Sequence, residues 1–251
     1  MQAYEGFASI YDIFMGDVDY DGWVEYVQKI WERYNKKPSL IAELGCGTGN
    51  ITGRLAKKGY DMIGIDISEE MLFEAMEKAR RDNLEILYLQ QDMTEFELYG
   101  TVDIVLSLCD SMNYITDDED MLKVFKLANN YLNPKGLFIF DLNTEYKFKE
   151  ILACNTFAET TDDAAYIWEN TYDEEEKINE YYVNFFINDE KSGMYERVEE
   201  AHYERAYSLE EIKGFIEESG MEFLAAYDAF TFDEPKQNSE RIYVVAREKG
   251  K

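Results

Sequence analysis

An α/β fold built on a doubly wound sheet is predicted by three features of this 251-residue chain. From residue 40 onward, short apolar runs alternate with amphipathic helical stretches. The segment 41–50, IAELGCGTGN, carries a strand end directly into a glycine loop formed by Gly45, Gly47 and Gly49. One helix later, the run DMIGID ends on Asp66. Strand, glycine loop, helix, strand and acid in that order bring backbone beside a nucleotide-like ligand and put a carboxylate on its ribose hydroxyls. An adenosine-containing cofactor is therefore expected.

Each element has its own signal. Residues 4–34 read as helical, with Tyr4, Phe7, Ile10, Tyr11 and Phe14, then Trp23, Tyr26, Val27, Ile30, Trp31 and Tyr34 at three- and four-residue steps, and Pro38 closes this stretch. Strands follow at 40–44, 61–65, 85–90, 102–107 and 136–141, with helices near 49–58, 68–80 and 118–131 between them. Ser68 is the expected N-cap of a helix burying Met71, Leu72, Ala75, Met76 and Ala79, and Asn133-Pro134 stops the helix before the next strand. After Asn143 the alternation ends. Residues 155–207 hold the strand-like runs YIWENTY, INEYYVNFFIND and MYERVEEAHYERAY, separated by acidic turns, and predict an antiparallel insertion. Ser208 and Glu211 form a capping box for a helix with Leu209, Ile212, Phe215 and Ile216 inward and Gly220 at its end. Strands at 222–228 and 241–247 close the chain. The expected organisation is an N-terminal helical cap (1–37), a core (38–146 and 208–251) and an antiparallel lid (147–207).

Composition narrows the function classes. Lys and Arg number 25 against 53 Asp and Glu, a net charge of −28, which repels phosphate backbones and anionic membranes. A nucleic-acid partner is not expected, and a cationic small substrate is favoured. Within 155–205 the imbalance is 4 basic against 15 acidic residues, interleaved with aromatic ones that suit a lid or a homodimer face. No apolar run has the length of a membrane span, and the N-terminus carries acids where a secretory signal needs bases. The three cysteines, Cys46, Cys109 and Cys154, fit neither a disulfide framework nor a zinc site, so a reducing, cytoplasmic setting is expected and no metal is called for.

A dinucleotide loop usually reads Gly-x-Gly-x-x-Gly, whereas this one is Gly45-Cys46-Gly47-Thr48-Gly49. ELGCGTG followed by the acid of GID resembles the first motif and next strand end of class I S-adenosylmethionine-dependent methyltransferases. QQDMTEF, DIVLSLCDSMNYI and LNPKGLFIFDLNT resemble later segments of the same family, in the same order. FASIYDIFM, DSMNY and AHYERAY are similar to segments of uncharacterised bacterial small-molecule methyltransferases and, more distantly, of aminosugar N,N-dimethyltransferases.

The resemblance implies a Rossmann-like seven-stranded methyltransferase sheet carrying the antiparallel insertion, with S-adenosyl-L-methionine as cofactor. It also implies roles for particular residues. Gly45, Gly47 and Gly49, with the small Cys46 between them, would let backbone approach the methionyl part, and Glu43 would orient the loop and the ligand's amino group. Asp66 would accept the ribose hydroxyls. Ile67 and Met71 would flank the adenine, Asp92 and the Met93 N–H would bind its edge, Leu108 would lie beneath the sulfonium, and Tyr11 would close over the carboxylate end.

Methyl transfer from a sulfonium needs alignment and exclusion of water more than a strong acid or base. The single histidine, His202, is the expected base, because the insertion returns it over the mouth of the sheet. Asp110, Ser111, Asn113 and Tyr114 follow the fourth strand, where this architecture presents groups to substrate, and Tyr203 adjoins the histidine. Asp110 and Asn113 are thus catalytic candidates beside His202, and Ser111, Tyr114 and Tyr203 are acceptor-binding ones. The expected activity is methylation of a small-molecule acceptor such as an amine. The alternatives are an RNA methyltransferase, a cofactor-binding protein that docks partners on its acidic insertion, and a nicotinamide oxidoreductase, which the loop spacing disfavours.

Overall fold

A computed structural model describes residues 11, 12, 14–16, 18–161, 164–189 and 192–251. Tyr4, Phe7 and Ile10 of the expected first helix lie outside the described residues. Beyond them the helix is not continuous: a turn at Met15 and Gly16 precedes α1, Tyr20–Arg33. The break has a local cause. Asp19 caps α1, its carboxylate accepting the Gly22 N–H at 2.9 Å, and an N-cap residue cannot itself be helical.

The remaining elements are β1 (Leu40–Leu44), α2 (Asn50–Lys57), β2 (Asp61–Asp66), α3 (Glu69–Arg81), β3 (Ile86–Gln90), β4 (Val102–Ser107), a 3-10 turn (Ser111–Tyr114), α4 (Asp118–Tyr131), β5 (Leu132–Asn143), a π-type turn (Lys147–Leu152), β6 (Thr156–Thr160), β7 (Ala164–Asp173), β8 (Ile178–Asp189), β9 (Met194–Arg205), α5 (Leu209–Glu218), β10 (Glu222–Asp228) and β11 (Arg241–Arg247). The main sheet has seven strands in the order β10-β11-β5-β4-β1-β2-β3, with β11 antiparallel to both of its neighbours and the others parallel. The chain leaves β1 toward β2 on one side and later fills the other side with β4. The crevice between the carboxyl ends of β1 and β4 is therefore the topological switch point, where open α/β sheets bind ligands.

Two apolar layers hold the sheet. On one face, α1 and α2 bury Val24, Val27, Ile30, Trp31, Ile51 and Leu55 against Ile41, Ile104 and Ile139. On the other, Met121 and Phe125 of α4 and Ile212 and Ile216 of α5 pack on Ala42, Val105, Phe138 and Phe140. Strands buried on both faces read as unbroken apolar runs, which is why they were legible in the sequence.

The insertion forms a second, antiparallel sheet, β6-β7-β8-β9. The period-two rule divides its side chains: Val183 and Phe185 of β8 and Glu200, His202 and Glu204 of β9 point inward, while Tyr182 and Tyr203 point to solvent. The inner face packs Val183 and Phe185 on Met71 at the start of α3, with Tyr11, Phe14 and Trp168 around them. It thereby lies against the mouth of the main sheet.

Three expectations are corrected. Met76 is 47% exposed, one position past the apolar stripe of α3. β5 begins at Leu132 rather than 136, with Pro134 accommodated where the β4 pairing slips between Val102 and Ile104. β6 was not foreseen, because this edge strand exposes all but one of its residues and carries little apolar pattern. Among the described residues, no helix is long and apolar enough to cross a membrane.

Candidate active site

At the carboxyl end of β1 the chain turns through three glycines with positive φ, +67° at Gly45, +51° at Gly47 and +74° at Gly49. The loop is tied to the next strand: Cys46 N–H donates to Ile65 O at 2.9 Å, and Gly47 N–H donates to Asp66 Oδ2 at 2.7 Å. The other Asp66 oxygen accepts the Ser68 N–H at 2.9 Å. Burial nevertheless pushes the Asp66 carboxyl above its ordinary value, the backbone N–H groups offsetting part of the cost. Asp66 is thus a brace between two loops.

The glycines are required for different reasons. A Cβ on Gly45 would stand 2.6 Å from Ser111 Oγ, and one on Gly49 would stand 2.6 Å from the Tyr88 hydroxyl, whereas one on Gly47 would meet nothing within 4 Å. Gly47 alone faces open space. Gly49 does not line the cavity, contrary to its expected ligand contact; it is demanded by helix packing. Glu43, buried at the strand end, accepts a hydrogen bond from the Thr52 hydroxyl. Burial raises its carboxyl to about 8 despite Thr52. Thr52, nine residues on and inside α2, carried no signal in the sequence.

The glycine loop opens on a cavity of about 540 Å³. Tyr11, Glu43, Gly45, Cys46, Gly47, Asp66, Ile67, Met71, Asp92, Met93 and Leu108 all line it, as do Ser111 and Tyr114. Asp92 is held in place by Thr94, whose N–H and hydroxyl both donate to its Oδ1 at 2.8 Å. Five carboxylic acids, Glu43, Asp66, Glu69, Glu70 and Asp92, border the cavity, and no described Lys or Arg does. Beside it sits a latch that sequence reasoning missed. Asp12 accepts from Thr48 Oγ1 and Asn50 Nδ2, each at 2.8 Å, and pairs with Lys78 at 2.6 Å, which anchors the residue next to Tyr11 onto the glycine loop.

Size, a Gly47 cradle that a Cβ would fill, and an acidic wall together fit a ligand with an adenosine body and positive charges. Comparison with known proteins agrees. Residues 41–136 match the family described as "Methyltransferase domain". A Bacillus subtilis (strain 168) protein named "Putative methyltransferase YqeM" is 35% identical over 245 residues, 97% of this chain and 96% of that one. The chain belongs to the class I S-adenosylmethionine-dependent methyltransferases. A crystal structure of such a methyltransferase from Clostridium acetobutylicum ATCC 824 superposes with a TM-score of 0.88 at 33% identity, covering 98% of this chain and 99% of that one. The fold alone is shared with CalS10 of Micromonospora echinaspora, an amino pentose methyltransferase solved with S-adenosylmethionine bound, at TM-score 0.75, 14% identity and 99% and 98% coverage. In this methyltransferase S-adenosylmethionine supplies the methyl group.

The acceptor-side candidates lie in different surroundings. Ser111 lines the cavity, its hydroxyl donating to Leu108 O at 2.8 Å, and so does Tyr114. Asp110 does not. Its backbone is left-handed (φ +57°) and its carboxylate is turned into the protein, 2.8 Å from Arg241, which also binds Asp141. Burial opposes the Asp110 charge, but Arg241 and Lys147 hold its carboxyl below the ordinary value. Asn113 is fully buried: it donates to Asn143 O at 3.1 Å and Arg205 O at 2.8 Å and accepts the Asn143 N–H at 2.9 Å, a clasp between β5 and β9. Neither borders the cavity. Tyr203, 48% exposed, sits on the outer face of the second sheet, because it is one residue out of phase with His202. Trp23 packs on Phe230, Tyr243 and Arg241.

His202 is buried and reaches the cavity through a neighbour. Its Nδ1 lies 3.3 Å from the Tyr114 hydroxyl, its Nε2 lies 3.0 Å from Glu200 Oε2, and its ring stacks on Tyr181 with centroids 4.7 Å apart. A redox role for Cys46 and Cys109 has no support, since burial and nearby acids push both thiols well above their ordinary value and away from the reactive thiolate.

Proposed function

We propose that this methyltransferase transfers the methyl group to a small, uncharged or cationic amine that enters at the Tyr114 end of the cavity. The observation that carries the reading is the cavity wall, bordered by five carboxylic acids and no described cation. Such a wall favours an ammonium and repels a phosphate. The fold shared with an amino pentose methyltransferase points the same way. In this reading, residues 147–207 act as the lid over the acceptor and residues 1–37 as the cap over the donor. Glu43, the glycine loop, Asp66, Ile67, Met71, Asp92, Met93 and Tyr11 hold the donor, and Leu108, Ser111 and Tyr114 border the reacting end. RNA is disfavoured by the same wall and by the net charge of −28.

Calorimetric titration with S-adenosylmethionine, S-adenosylhomocysteine and NAD, followed by transfer of a labelled methyl group to amine, alcohol, phosphorylated-sugar and RNA acceptors, tests the reading. Binding of the first two ligands, no binding of NAD, and labelled amine products are expected. Labelling confined to RNA or phosphorylated sugars would overturn it.

A further inference from the structure

Two buried polar groups of β9 and a half-buried tyrosine of the turn after β4 converge beside one wall of the cavity. Glu200 and His202 are successive inward residues of β9, 6% and 3% exposed, and Tyr114 belongs to the 3-10 turn after β4. Nε2 of the imidazole meets the Glu200 carboxylate at 3.0 Å and Nδ1 meets the Tyr114 hydroxyl at 3.3 Å. Tyr181 of β8 fixes the arrangement by stacking on the imidazole and binding the Tyr114 hydroxyl at 2.5 Å. Only Tyr114 of this set borders the cavity.

We infer that Tyr114, His202 and Glu200 form a proton relay that takes a proton from the amine acceptor and stores it on the imidazole. This inference rests on the amine reading above. A lone buried imidazolium would be costly, but one whose Nε2–H faces a carboxylate forms a neutral pair, so Glu200 makes the proton-accepting state accessible. Tyr114 acts as the conduit. Burial, with Tyr181, Glu204 and Asp110 adding to it, holds its phenol well above the ordinary value, so it gives up its own proton only as it receives another. Among the described residues, the titratable and charged groups facing the relay include Glu200 and Glu204 from β9, Tyr181 from β8 and Tyr114 from the turn, with Asp110 and Lys147 beyond Glu204.

The step balances. One ammonium proton of the acceptor passes to Tyr114 Oη as Oη gives its own to His202 Nδ1, which leaves a neutral amine, a neutral phenol and an imidazolium beside the Glu200 carboxylate. The freed lone pair forms the N–C bond to the donor methyl as the C–S bond breaks, its electron pair staying on sulfur. After product departs, the imidazolium returns its proton through Tyr114 to water. His202 is thus a positioning and proton-holding residue, and Tyr114 is the group that meets the acceptor.

His202 is the only histidine in the chain, so nitrogen-15 labelling of histidine gives a single imidazole spectrum. With saturating S-adenosylhomocysteine near neutral pH, the proton is expected on Nε2 with Nδ1 accepting from Tyr114, and Tyr114→Phe is expected to shift the Nδ1 resonance while Nε2–H persists. A proton resident on Nδ1, a fixed imidazolium, or an Nδ1 resonance indifferent to Tyr114→Phe overturns the relay. With methyl-labelled S-adenosylmethionine and glucosamine or benzylamine as acceptor probe, His202→Gln is expected to lower kcat by about 100-fold. Its KM for S-adenosylmethionine should stay within about twofold of the parent value. An unchanged kcat overturns the relay. Failure of S-adenosylhomocysteine to bind would instead overturn the methyltransferase site, and turnover of alcohols but no amine would overturn the amine reading on which the relay rests.

Discussion

Asp66 does two jobs with one carboxylate: each oxygen accepts a backbone N–H, from Gly47 and from Ser68, and lone pairs remain for a ligand. Asp66→Ala is therefore expected to weaken S-adenosylmethionine binding by about 1.5–3 kcal/mol, the scale of charged hydrogen bonds, as read by calorimetry. Gly47→Val places a branched side chain in the space where a Cβ meets nothing within 4 Å, so binding should vanish while the far-ultraviolet dichroism stays native. Unaltered affinity in either variant would remove the site from this loop. Glu43, raised to about 8 by burial, is largely protonated near neutral pH, and the arrival of a positively charged donor favours its ionised form. Donor binding should then release a proton, so its calorimetric heat should change with the ionisation enthalpy of the buffer, and Glu43→Gln should remove that dependence. The sequence made Asp66 legible because strand, loop and acid are spaced along contiguous chain. Thr52 and the Asp12 latch were not legible, because their partners lie across helices.

At the level of elements, α2 can start only where Gly49 lets it approach β3. An added Cβ would stand 2.6 Å from the Tyr88 hydroxyl and 3.1 Å from Ala75 Cβ, in a left-handed backbone. Gly49→Ala is expected to cost about 1–3 kcal/mol of unfolding free energy. Adding Tyr88→Phe, which removes the closest atom, should return part of that loss, and simple additivity of the two changes in a denaturant double-mutant cycle would contradict the packing account. The capping box of α5 was readable because Ser208 and Glu211 lie one turn apart, and the structure shows both of its reciprocal bonds. The helix expected over 4–34 misled because aromatic periodicity runs through the Met15–Gly16 turn, and the cap at Asp19 overrides it.

Across the whole molecule, burial of acids sets the response to pH. Glu43 has a folded value of about 8 against an ordinary 4.5, and Glu204 is shifted in the same direction by burial and by Asp110. A folded value raised above the unfolded one gives a stability contribution that is complete below about 4.5, declines above it and is lost as pH passes through about 8. The melting temperature of the ligand-free protein should fall across that window, and Glu43→Gln and Glu204→Gln should each flatten the fall. A net charge of −28 adds self-repulsion, so moderate salt should raise the melting temperature without altering these differences.

The sequence by itself determined the alternating sheet, the glycine loop and its acid, the antiparallel insertion and the methyltransferase family, since each is written in contiguous residues whose spacing follows a helix or strand period. Only the tertiary structure decided which polar side chains face the cavity. Left-handed backbone at Cys109 and Asp110, φ +59° and +57°, turns Asp110 inward toward Arg241 and leaves Ser111 and Tyr114 on the cavity wall. The register of β8 with β9 sets Tyr181 opposite His202, and the docking of that sheet brings both to Tyr114. Contacts of this kind depend on strand register and on the placement of one sheet against another. Those are properties of the assembled chain, and no local pattern of residues encodes them.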